Sequence, residues 1–213
     1  MTQPLPHLTF LSEDVVLLQF GSEISVDMTR VIQHWFEALH EDRAVSALVP
    51  TYCDIAVTVS DFSRGWSLTD WQHYLSGFAH AETSVEPKVV DISVCFDSMP
   101  TELEAYARSV RMSPAEVIDT ILDADFCVGM LGFLPGMPYL IGLPESLHCP
   151  RRIDLIKAPA NTLAVGGKQI GVLPNETLTG WWPIAQVTER FFEISRHPMN
   201  RLQVGDSVRF LKS

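Results

Sequence analysis

The sequence predicts an α+β protein built in two parts. Three observations carry that prediction. Helix-period and strand-period segments alternate over roughly the first 90 residues. After residue 125 no helical period recurs, and short apolar runs alternate with turns, the spacing of a small β-barrel or sandwich. Apolar residues make up 46% of the 213 and charged residues 19%, which suits packed cores and argues against global disorder.

Taken in order, "VVLLQF" (15–20) is a short apolar run ending at Gly21 and predicts a strand. In "SVDMTRVIQHWFEALHED", Met28, Val31, Ile32, Trp35 and Leu39 share one helical face, with Ser25 or Asp27 as cap. "VSALVP" (45–50) and "CDIAVTVS" (53–60) predict two strands. "SLTDWQHYLSGFAHA" predicts a helix capped by Ser67 or Thr69, with Leu68, Trp71, Leu75 and Phe78 along one side. "KVVDISVCF" (88–96) predicts a further strand. Strand, helix, strand, strand, helix, strand is the split βαβ, or ferredoxin-like, order. Pro87 marks the boundary where the pattern changes, so the expected domains are 1–87 and 88–213.

Two short helices open the second domain. "PTELEAYARSVR" offers Thr101 as cap with Glu104 three residues on. "SPAEVIDTIL" is stronger: Ser113 caps, Pro114 takes the first helical position, Glu116 completes a capping box, and Met112 with Val117 can staple the end. The runs "FCVGML", "TLAVGGKQIGVLP", "WWPIAQVT", "FFEIS" and "DSVRFLK" then predict strands.

The bulk numbers exclude some partners. A net charge of −11 argues against a nucleic-acid backbone, whose phosphates require clustered Lys and Arg. No run of 18 apolar residues suggests a membrane span, and "MTQPLPHLTF" lacks the basic-then-apolar pattern of a secretory signal, so a cytoplasmic protein is expected. Cys53, Cys95, Cys127 and Cys149 form no CxxC pair and sit among apolar neighbours, which predicts buried free thiols rather than a zinc site. Most of the seven histidines fall on polar helix faces or at element ends and are expected to be solvated; His148, beside Cys149 and two arginines, is the exception. No Walker-type loop, HExxH, GxSxG or GxGxxG after a strand occurs.

The stretch "GFLPGMPYLIGLP" (132–144) is stiff and apolar, with six of its thirteen residues Gly or Pro. Pro fixes φ and Gly permits φ > 0, so its path is over-determined. Such a loop either braces a barrel end or holds backbone N–H groups and rings ready for a ligand. Arg151 and Arg152 follow, able to clamp a carboxylate or phosphate or to bridge to acidic neighbours. "GGKQIG" (166–171) reads as a turn between barrel strands, since no helix follows to supply a dipole for a phosphate. Trp181 and Trp182 are adjacent, so in a strand they face opposite sides.

"MLGFLPGMPYLIGLPESLHCPRR", "GGKQIGVLPNETLTGWWPI" and "LQVGDSVRF" resemble the KipI family, whose members are also known as the B subunit of 5-oxoprolinase and the first subunit of allophanate hydrolase. The family pattern runs approximately GFxPGFxYLxGL, PRR, VPAGS, GxQxGIYPxxSPGGW and RxGDxVRF, and the resemblance covers nearly the whole chain. It implies an N-terminal ferredoxin-like domain and a C-terminal cyclophilin-like β-barrel. It implies two partners, a C-type subunit of similar barrel architecture and a lactam-binding A-type subunit, together opening 5-oxoproline to glutamate with ATP as co-substrate of the assembly. Other members imply alternatives: inhibition of a sensor histidine kinase, or a role in an allophanate or urea carboxylase-type amide-processing complex. Gly171, Pro174 and Gly180 are kept from the pattern, as are Phe133, Pro135, Gly136, Tyr139, Arg151, Arg152, Pro159, Gln169 and Trp181, and these last nine are the expected substrate-binding or partner-facing pocket. No catalytic base and no metal ligand are assigned. The chain departs from the pattern at Ile121, where many relatives carry a histidine nearby. It departs again at "IDLIK", which lacks a second Pro-Arg, at "APANT", with Asn161 and Thr162 in place of Gly and Ser, and at "TLTGW", with Leu178 where a Pro is expected to tighten a turn.

Overall fold

The computed structural model describes residues 5–79 and 87–213. His80 and the end of the segment 67–81 lie outside them. The chain divides into two compact units, Met1–Glu86 and Pro87–Ser213.

In the first unit, strands β1 (His7–Ser12), β2 (Val15–Gln19), β3 (Val45–Pro50) and β4 (Asp54–Val59) form an antiparallel sheet in the order β1-β2-β4-β3. Helices α1 (Val26–Leu39) and α2 (Leu68–Ser76) pack on it. Period-2 burial in β2 and β4 turns Val16, Leu18, Ile55, Val57 and Val59 to the helices, whose Ile32, Trp35, Leu39, Trp71 and Leu75 complete one core. Ser25 caps α1 through its hydroxyl, and Ser67 with Asp70 forms a capping box on α2. His34, expected to be solvated, is buried in α1, with Nε2 3.2 Å from the Phe78 carbonyl.

The strand at 88–96 does not close the first sheet; β5 (Val89–Cys95) pairs in the second unit, parallel to β13 (Ser207–Lys212) and antiparallel to β12 (Trp182–Val187). The sheet position beside β2 belongs to β1, whose pattern buries only Leu8 and so gives little period-2 signal. Alternation shows that a segment is a strand but not which sheet takes it. Here the buried Asp206 carboxylate accepts from the N–H groups of Lys88 and Gln203, and Ser207 donates to the Lys88 carbonyl, tying the start of β5 to β13.

The second unit is a closed barrel. With β6 (Phe126–Leu131), β7 (Pro138–Ile141), β9 (Thr162–Gly166) and β10 (Gln169–Leu173), its strand order is β10-β7-β6-β13-β5-β12-β9. β8 (Ile156–Ala158) and β11 (Thr177–Thr179) form a separate two-stranded sheet. Leu140, Leu163, Val165, Ile170, Val172 and Ile184 fill the barrel core, with Leu103 and Tyr106 of α3 (Pro100–Ser109) and Val117 and Ile121 of α4 (Pro114–Leu122) in the same cluster. Ser113 and Glu116 make the expected capping box on α4. Helix α3 starts one residue before Thr101: Pro100 holds the first helical position and Met99 is the cap, with no side-chain hydrogen bond. "FFEIS" is not a strand; Phe191 is buried in an irregular segment joined only by the isolated bridge of Phe192 to Asn200. Ile121 is fully buried. The four thiols are free, three buried and Cys95 half-buried. Among the described residues no helix is long and apolar enough to cross a membrane.

Candidate functional site

The stiff stretch proves to be half loop and half strand. Residues 132–137 connect β6 to β7, and Pro138–Ile141 is β7 itself. Gly132 donates to the Met137 carbonyl, Leu134 to Gly132 and Met137 to Leu134, so the loop closes on its own backbone. Gly136 sits at φ +77 with the backbone of Phe191 and Cβ of Phe192 so close that an added Cβ would lie 2.7–2.9 Å from them. Only glycine satisfies both demands. Phe133 also takes a positive φ, of 67°, and its side chain is 73% exposed.

Beyond the loop, alternation sends Leu140, Ile170, Val172, Leu163 and Val165 into the barrel and Tyr139, Gly171 and Ala164 to its outer side. There Gly171 pairs with Tyr139 on one flank and with Ala164 on the other, making a floor of small residues beside one phenol. Trp181 lies on this floor. An added Cβ on Gly166 would meet its indole at 2.5 Å, and one on Gly171 would meet it at 3.3 Å. The Tyr139 ring meets Trp181 edge-on at 5.5 Å, and the Arg151 guanidinium stands 5.6 Å from the indole centroid. Burial pushes the Tyr139 phenol up and nearby Arg151 pulls it partly back, so at neutral pH it is a protonated O–H donor beside a fixed cation. Gln169 lies two residues before Gly171, on the same side of β10.

Trp181 is set by the "TLTG" segment before it. Its N–H donates to the Thr179 hydroxyl, and the Gly180 carbonyl accepts from the Arg152 N–H at 2.7 Å. Leu178, expected in a loosened turn, is mid-strand opposite Lys157, and 63% exposed. Asn161 holds φ +59, a left-handed value that asparagine tolerates better than most residues. Thr162 spends its hydroxyl on the Pro159 carbonyl at 2.7 Å. Pro159 thus shapes the turn into β9 and is itself exposed.

Trp182, the first residue of β12, faces away from Trp181, which lies just before the strand. Its Nε1–H donates to the Pro150 carbonyl, and the Arg152 guanidinium stacks 4.7 Å from its centroid. Ser109, Cys149, Arg151, Arg152, Asp154 and Trp182 are among the residues lining a cleft of about 400 Å³ there. Burial raises the Cys149 thiol, and a hydrogen bond from Ser109 offsets part of that, so it is a neutral wall of the cleft. His148 turns its Nε2 to the Leu143 carbonyl and braces the chain.

The structure therefore brings Tyr139, Arg151 and Trp181 into contact, with Gln169 on the same face. Arg152 belongs to the adjoining cleft, Phe133 and Pro135 are exposed on the loop, and Gly136 and Pro159 act through the backbone. Sequence reasoning missed Gly166, Thr179, Gly180 and Asp154. The Gly166–Gly167 pair was a visible signal, but it reads as turn chemistry; Gly167 does form the two-residue turn, at φ +70, while Gly166 makes room for an indole from another segment.

A barrel carrying this rigid ring-and-arginine surface matches a known group. Residues 6–202 fit the family model described as carboxyltransferase domain, subdomain C and D, and the chain belongs to that family. It is 27% identical over 219 residues to the 5-oxoprolinase B subunit of Bacillus subtilis (strain 168), covering 95% of this chain and 90% of that one. It is 35% identical over 128 residues to the 5-oxoprolinase B subunit of Escherichia coli O157:H7, or 59% of each chain. Among solved structures, TTHA0988 superposes with a TM-score of 0.79 at 26% identity over 94% of this chain, which spans only 40% of that one. The Kluyveromyces lactis urea amidolyase shares the fold, with a TM-score of 0.74 at 12% identity over 98% of this chain and 15% of that one.

Proposed function

We propose that this chain is the B component of an ATP-dependent 5-oxoprolinase, acting with a barrel-type C component and a lactam-binding A component to open 5-oxoproline to glutamate. The observation that carries this reading is the match to a protein named as the B subunit of 5-oxoprolinase over nearly the full length of both chains. The retained Tyr139–Trp181–Arg151 cluster supports it chemically. Opening a cyclic amide develops negative charge on the carbonyl oxygen, and a fixed guanidinium with a neutral phenol offers two donors to such an oxygen. Trp181 holds Arg151 in place without neutralising it. We read the barrel as cyclophilin-like and the first unit as a ferredoxin-like variant in which β1 replaces the expected closing strand. In this reading ATP is the co-substrate of the assembly, not necessarily bound by this chain, whose "GGKQIG" forms a two-residue hairpin turn.

The test is co-expression with candidate A and C components, followed by ATP-dependent conversion of 5-oxoproline to glutamate. Activity that needs all three chains, and falls at least about tenfold with Arg151→Gln, is expected. An intact three-chain complex with no turnover overturns the reading. A second reading, docking to the helical hairpin of a sensor kinase, is favoured by one feature, the exposed Phe133 on a self-closed loop. Capture of such a hairpin by the free chain, lost with Phe133→Ser, would support it.

A further inference from the structure

We infer that the cleft beside Trp182 is a binding site for a small organic monocarboxylate, held end-on by Arg152 with Arg151 alongside. Two guanidinium groups and one carboxylate, Asp154, line it in a chain whose net charge is −11, so the cleft is locally positive on an acidic protein. Among the described residues neither Arg151 nor Arg152 has a carboxylate within ion-pair distance. In the first unit, by contrast, the cavity beside Trp66 contains Arg64, which pairs with Asp14 at 3.1 Å and Asp61 at 3.4 Å.

Arg152 is held in place three ways. Its backbone N–H is bound to Gly180, its guanidinium lies on Trp182, and Trp182 is itself fixed by its bond to Pro150. Its Nε is enclosed by protein and has no acceptor. An acceptor from outside must therefore approach the two Nη groups, the geometry in which a planar carboxylate makes paired hydrogen bonds. Asp154 disfavours a doubly charged anion such as phosphate relative to a monoanion. Pro150, Ile153 and the indole of Trp182 supply apolar walls for a hydrocarbon body. The Arg152 charge is already stacked and ordered, so little freedom is lost on binding.

The choice of 5-oxoproline as one probe rests on the oxoprolinase reading; the site itself does not. Titration of the isolated full chain, followed by the Trp182 indole N–H signal in NMR, separates the two. The probes are 5-oxoproline, propionate, 2-pyrrolidinone and inorganic phosphate. Saturable shifts with 5-oxoproline and propionate, competing with each other, and none with the uncharged 2-pyrrolidinone, are expected. Arg152→Gln should weaken both acids by at least about tenfold, and Arg152→Lys by less. No saturable shift with either acid, equal binding by 2-pyrrolidinone, or preference for phosphate overturns the inference, with or without a folded variant in hand. Binding of propionate but not 5-oxoproline supports the carboxylate site and counts against the oxoprolinase reading.

Discussion

Replacing Gly166 by alanine puts a methyl carbon 2.5 Å from two ring carbons of Trp181 and 2.6 Å from its Nε1. Ordinary carbon contacts sit at about 3.5–4.0 Å, so the indole must withdraw by about 1 Å. Trp181 is only 5% exposed and packs with Met137, Ala158, Ala164 and Leu173, so it has no empty space to enter. Overpacking of this kind costs about 1–3 kcal/mol, and loosening the Tyr139 edge contact and the Arg151 stack adds about 1 kcal/mol. Alanine is intrinsically better than glycine in a strand interior by about 0.5–1 kcal/mol, which offsets part of this. The net expectation is a loss of about 2 kcal/mol, read by urea denaturation of the barrel unit with near-ultraviolet circular dichroism. The decisive arm is Trp181→Ala. That change alone costs about 3–5 kcal/mol, but on its background Gly166→Ala should cost less than about 0.5 kcal/mol. A Gly166→Ala variant as stable as the parent, or one equally destabilising without the indole, refutes the claim that this glycine exists to seat Trp181.

Three further outcomes are expected. Tyr106 is fully buried and its O–H donates to the Leu147 carbonyl at 2.6 Å, so Tyr106→Phe should cost about 1–3 kcal/mol in thermal or urea unfolding. Burial first, and then Cys149, push its phenol far above the ordinary value of 10.0, and burial raises Tyr139 in the same direction. A raised folded-state value stabilises fully below 10.0 and is lost as pH climbs past it, so stability should fall on the alkaline side and fall less steeply in Tyr106→Phe; an unchanged alkaline slope would contradict this. Phe133→Gly removes an exposed ring from a positive-φ position, so the fold should be unharmed or gain up to about 1 kcal/mol by calorimetry, while association with partner chains measured by co-purification should weaken. Strong destabilisation would show that Phe133 braces the barrel instead.

Local chemistry was legible in the chain itself. The capping boxes at Ser67 and Ser113, the one-sided apolar faces of α1 and α2, and the hairpin at Gly167 each depend on residues within a few positions of one another. The family follows from motifs spread along the chain. What the tertiary structure alone decided is pairing over distance. The strand at 88–96 has the same alternation in either unit; its place in the barrel comes from pairing with residues more than 90 positions away. Arg151 and Arg152 are neighbours in sequence, yet Arg151 stands against Trp181 and Arg152 on Trp182, with both guanidinium groups reaching the one cleft. Gly166 is a turn residue by sequence and a seat for an indole in space. Periodicity and caps report forces that act within one or two turns of chain. Which faces meet is set by side chains brought together on closing the barrel, and no local pattern encodes that.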